Sequence, residues 1–204
     1  MSNAMFSNLN GATAAQICAH FDLDQEARSL LRDRMAPQSF VEALLANKQY
    51  IAGIDFMAHA LRTREAIWWG CLCLQHACGS DLSAIDKAAC KAAVQWVLEP
   101  NEGHRTAVSA PGQAAGHASA AGVLAQAVIQ TRSNVAAPEA EPMPSEMFAP
   151  AKAVAHAIKL ASVKSDPAKI ADTQRRFADL GLGVAEGRFL WPETGNKARV
   201  RRLE

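Results

Sequence analysis

The chain has 204 residues, with 21 Lys and Arg against 20 Asp and Glu, and half of it is nominally hydrophobic. Of the apolar residues, 42 are Ala, against 11 Val, 8 Ile and one Tyr. Sheets draw on β-branched and aromatic residues and Ala is the best helix former, so this composition excludes a sandwich, a barrel or a disordered chain and predicts an all-α fold.

Met1-Ser2-Asn3-Ala4 ahead of Met5 reads as an expression scar, and residues 5–192 as one helical domain. Thr13 to Phe21 is a short helix, and Asp24 caps a second that carries Ala27, Leu30 and Leu31. Pro37 opens a third, in which Phe40, Val41, Leu44 and Leu45 share a face. Tyr50 to Leu61 repeats Ile51, Ile54, Met57, Ala58 and Leu61 at helical spacing, and Gly53 suggests a close neighbour. Arg62 to Cys78 is apolar on every side from Ala66 to Leu74, which marks a buried central helix. Ser83 and Asp86 approximate a capping box for the next, whose inner stripe is Ile85, Ala89, Ala92 and Trp96.

Glu102 to Gln130 is dominated by small residues. Pro111-Gly112 is expected to divide it into two helices, and its Ala and Gly are expected to make room for Trp68 and Trp69. Residues 134–150 contain Pro138, Pro142, Pro144 and Pro150 with Glu139, Glu141 and Glu146, and read as an extended acidic surface connector. Ala151 to Val163 forms a helix with Val154, Ile158 and Ala161 inside. Asp166 and Pro167 start the last one, where Ile170, Phe177, Leu180 and Val184 face inward. Residues 193–204 are a basic tail. The expected architecture is a single compact domain of about eight or nine helices around the Arg62 to Cys78 helix.

Residues 197–204 hold four cations and one anion, leaving 17 cations against 19 anions elsewhere. A body so near neutrality lacks the clustered basic face that nucleic acid requires. No apolar run approaches the roughly 20 residues of a membrane span, and no cationic and apolar leader follows Met5, so neither membrane nor export is expected. Five cysteines, an odd count in a chain large enough to build a core, do not form a disulfide framework and point to a reducing cytoplasm.

Three stretches carry a resemblance: REAIWWGCLCL at Arg64 to Leu74, APAKAVAHAIKLA at Ala149 to Ala161 after the proline-rich break, and DPAKIADTQRRFADLGLGVAEGR ending at Arg188. Together they resemble an uncharacterised bacterial all-α family with a double-Trp central helix. Its members occur near type VI secretion and related effector genes, so the resemblance implies a cytoplasmic accessory, adaptor or immunity-like role. It implies no activity, cofactor or ligand set.

Cys71, Cys73 and Cys78 flank His76, yet on a helix Cys73 lies about 200° from Cys71, so the three cannot converge on one ion. The six histidines make no HExxH or ExxH pair, and no P-loop, GxGxxG or GxSxG occurs. No metal, cofactor or catalytic residue is expected. Asp55 and His59, spaced i and i+4, could form an acid/base pair, although a surface ion pair is the commoner meaning. Arg62, Arg64, Glu65, Trp68 and Trp69 are the most distinctive local chemistry. Glu65 could accept an indole N–H or pair with an Arg to lock the helix, or the group could be a partner-binding hot spot. The preferred reading is a non-enzymatic interaction protein with a protein partner, which binds through the connector or the grooves beside the small-residue helices. The alternative is a small-molecule-binding protein or enzyme with a pocket near Trp68, Trp69, Asp55 and His59.

Overall fold

The computed structural model describes residues 13–131, 147–164 and 167–191. The scar, the greater part of the acidic connector, Asp166 and the basic tail lie outside them. Among the described residues there is no strand, and eight helices run for seven residues or more. The all-α expectation holds.

The chain opens with α1 (Ala14–Cys18), capped by Thr13 and Gln16 in a reciprocal box, and α2 (Gln25–Ser29), capped by Asp24. The Ala14 amide donates to Met35 O at 2.9 Å, which ties this N-terminal turn back against α3 (Pro37–Ala46). Next come α4 (Tyr50–Ala60) and α5 (Thr63–Cys78), and α5 ends at Gly79, whose φ of +48° reverses the chain. Helix α6 (Ala84–Leu98) starts on Ser83, which accepts from the Asp86 amide as the capping pattern predicts. Its buried face is Ala89, Ala93, Trp96 and Val97, whereas Ile85 is 52% exposed; the inner stripe lies one residue round from the predicted one.

Helices α7 (Glu102–Ala107), α8 (Ser109–Ala115) and α9 (Ala120–Ile129) follow. The stretch breaks twice. One break is at Val108, just ahead of Pro111, which lies in the first turn of α8 where a missing amide costs nothing; the second, not expected, is at Gly116, whose φ of +74° only glycine adopts readily. Beyond the connector, α10 (Ala149–Ser162) begins two residues before its predicted start, with Pro150 again tolerated in a first turn. A short 3-10 turn, Pro167–Lys169, leads into α11 (Ile170–Ala185).

Helix α5 is central, packing on α4, α6, α9, α10 and α11. The space that Trp69 occupies is supplied by a helix other than the one the composition suggested. A Cβ on Gly181 of α11 would stand 2.8 Å from Trp69 Cε2, so α11 makes room for that indole. Two glycines between Glu102 and Gln130 pack within that stretch itself. Gly112 meets Ala125, with a would-be Cβ distance of 2.7 Å, and Gly122 abuts the Gly116 carbonyl. On the α5–α9 contact the roles reverse, with Gly70 of α5 receiving the Leu124 side chain. Large meets small throughout, as dense packing requires, but the pairs are different ones.

Candidate functional site

Trp68 and Trp69 are both buried, and neither indole N–H reaches Glu65. Trp69 donates to Phe177 O of α11 at 2.8 Å, and Trp68 donates to Phe189 O at 2.6 Å. Each buried indole therefore satisfies its one donor on a backbone carbonyl of the C-terminal part of the chain. The segment after α11 turns at Gly187 (φ +76°) and is tied back by the Arg188 and Phe189 amides, both of which donate to Gly183 O. The Phe189 ring covers Gly183, where a side chain would collide with it.

Arg64 completes this junction. Its Nε donates to Val97 O at 2.7 Å and its Nη2 to Leu98 O at 3.1 Å, satisfying carbonyls left open at the end of α6. The same guanidinium lies 4.0 Å over the Trp191 ring, which also meets Trp68 edge-on at 6.4 Å. Arg64 and Trp68, one turn apart, thus grip Trp191 while Arg64 pins α6. Glu65 is buried without a hydrogen bond or ion pair among the described residues, and Arg62 is exposed. Of the five residues predicted to meet a partner, three are in the core and Arg64 is half-buried, so they support a surface rather than present one.

Asp55 and His59 do not form a dyad. The Asp55 carboxylate pairs with Lys159 of α10 at 2.7 Å, and His59 Nδ1 lies 2.7 Å from the backbone oxygen of Asp55. A carbonyl only accepts, so Nδ1 carries the proton and Nε2 is a bare acceptor. That Nε2 is buried without a hydrogen-bond partner. The imidazole stacks on Phe21 at 4.8 Å, and Phe148, itself stacked on His20, meets it at a tilt 6.1 Å away. Burial, more than any neighbouring charge, lowers the His59 pKa below the ordinary histidine value. The imidazole is a neutral core group 5% exposed, shielded from any substrate.

The cysteines behave as small apolar residues. All five are free thiols, and burial pushes them up, Cys18 to about 11, Cys90 to about 12, and Cys71 and Cys73 well above the ordinary thiol value. Among the described residues no three His, Cys, Asp or Glu side chains are grouped as metal ligands.

Two open clefts lie elsewhere. One, of about 400 Å³, runs between the end of α5 and α11, rimmed by His76, Arg176, Asp179, Arg188 and Phe189. The other, of about 350 Å³, lies between α9 and α10. The second is a groove beside a small-residue helix, as expected in kind, but its lining residues were not foreseen; the first cleft, Gly181 and the C-terminal turn were missed altogether. The one available signal was Phe189 and Trp191, two aromatics just past the last predicted helix in a chain that has few.

Fold and site define a helical domain built around a double-Trp helix that is locked by its own C-terminal turn. The chain belongs to the family of unknown function DUF6931, whose pattern matches residues 40–185, well over half of the chain. No curated protein and no solved structure matches it. The match stops at the end of α11, so Phe189 and Trp191 lie beyond it, as do α1 and α2 at the other end. No helix among the described residues is long and apolar enough to cross a membrane.

Proposed function

We propose that the chain is a non-enzymatic interaction protein of the cytoplasm, an accessory, adaptor or immunity-like factor working with bacterial effector secretion. One observation carries the interaction reading. The C-terminal turn presents Phe189, 41% exposed, beside Arg176 and Arg188 along the cleft of about 400 Å³, and Leu190, next in the chain, is 37% exposed. Aromatic and Arg side chains on a rigid support are what protein-binding hot spots are made of. The support is the double-Trp junction: Trp68 holds the Phe189 carbonyl from below, so little ordering is left for a partner to impose. Five free thiols fit a reducing compartment, and the secretion link rests on the family resemblance alone.

The test is a pull-down from the organism of origin with the full chain and with an Arg176→Glu/Leu190→Ser variant, both checked for unchanged helicity and melting. A specific protein retained by the first and lost by the second is expected. Capture of the same protein by both, or of none while a small ligand copurifies, would sink the reading.

A further inference from the structure

We propose that the cleft between α9 and α10 binds a small molecule through an oxyanion, a phosphate group or a carboxylate, independently of the C-terminal face. Its volume of about 350 Å³ falls within the size of small-molecule sites. Two helix faces build it. From α9 come Gln126 and its C-cap Gln130, one turn apart, and from α10 come Lys152 and His156, also one turn apart. His117 closes one end from the turn that Gly116 makes, while Val123 and Ala153 form an apolar floor.

The rim has a single chemical character. It offers an ammonium, two imidazoles and two carboxamides, with no carboxylate among the described lining residues. Lys152 repels metal cations, whereas all five side chains can donate to an anion. None of the five makes a side-chain hydrogen bond or ion pair among the described residues, although the next lysine on the helix, Lys159, is paired with Asp55. Among the described residues nothing holds their donors away from a ligand. The first turn of α10 lies on the same cleft through Ala149, and its N-cap residue Phe148 supplies no side-chain cap, so the positive helix end adds to the field. Lys152 and His156 are spaced to share one oxyanion, and the amides of α9 stand across from them to hold the rest of the molecule. A single lysine in a concave site of this size suits a small ligand and not a nucleic-acid backbone, which needs many phosphate contacts.

The experiment is an amide-resolved NMR titration of the full chain with inorganic phosphate and, separately, with citrate, in chloride buffer at constant ionic strength. Saturable shifts centred on Gln126, Lys152 and His156 are expected with at least one of them. Binding should weaken by about tenfold in Lys152→Glu and again in His156→Glu, as loss of one charge-assisted contact implies. Both positions are exposed, so the rest of each spectrum should be unchanged, and Arg176→Glu should bind as the parent does. Absence of shifts with both anions, shifts that never saturate, or saturable binding undiminished in both variants would overturn the proposal. None of these outcomes bears on the pull-down.

Discussion

At the scale of single residues, His59 is the group whose charge the fold controls most directly. Its ring faces Phe21 and Phe148, its Nε2 has no partner, and the charged or titratable groups around it are Asp55 on its own helix, Lys152 on α10 and His20. The folded pKa lies below the unfolded value of about 6.5, so below that pH the unfolded chain binds more protons. The stability contributed by the neutral ring is complete above about pH 6.5 and is lost as pH falls from there through the folded value. The slope for one such group is at most about 1.4 kcal/mol per pH unit. Urea unfolding between pH 8 and pH 5 should show this loss, and His59→Phe should flatten it; an equal slope in that variant would refute the assignment. Gly181 gives a second test. Trp69 cannot retreat from a new Cβ because its indole is held by Phe177 O, so overpacking of about 1–3 kcal/mol should outweigh the helix-propensity gain of about 1 in Gly181→Ala. Gly53→Ala meets only the tip of Leu45 at 3.3 Å and should be neutral or stabilising. Paired denaturation midpoints decide, and equal effects at the two sites would contradict the packing argument.

Among the elements, α5 holds its position through polar ties as much as through its apolar surface. Arg64 joins the start of α5 to the end of α6 and to the Trp191 ring with one planar group. Arg64→Ala should therefore cost about 2–3 kcal/mol, since it removes two charge-assisted hydrogen bonds from carbonyls with no helical partner. Hydrogen exchange at the end of α6 should quicken with it. Arg64→Lys should recover less than half, because an ammonium cannot span two carbonyls and stack on an indole at once. Full recovery by lysine would show that only the charge matters.

For the whole molecule, the segments flanking the family-matched region complete the core. Ala14 and Ile17 of α1 are buried, and the C-terminal turn supplies the acceptor for Trp68. A chain limited to residues 40–185 would leave that indole donor unpaired and expose the α4 face beneath α1. It should melt lower than the full chain, bind a hydrophobic dye and show red-shifted Trp emission. Unchanged melting and no dye binding would show the flanks to be dispensable.

Much of the helical order was readable from local signals. Asp24, Pro37, Ser83 and Gly79 act at the positions where their backbone and side-chain chemistry applies, and an apolar run with no polar face identified α5 as central. Those signals operate within a turn or two of chain. The partners of the Trp indoles lie more than 100 residues away, at Phe177 and Phe189, and no local pattern encodes them. The same limit applies to the small residues. Composition could say that large and small must meet, while only the packed structure decided that Gly181 receives Trp69 and that Gly112 of α8 meets Ala125 of α9. It also separated Asp55 from His59 by giving the carboxylate to Lys159, and drew Lys152 and His156 into a cleft with residues of α9. By itself the sequence determined helix, many of its starts and stops, and one buried element, because these follow from backbone sterics and residue periodicity. Which side chains share a site is a property of contacts between distant segments, and that only the tertiary structure decided.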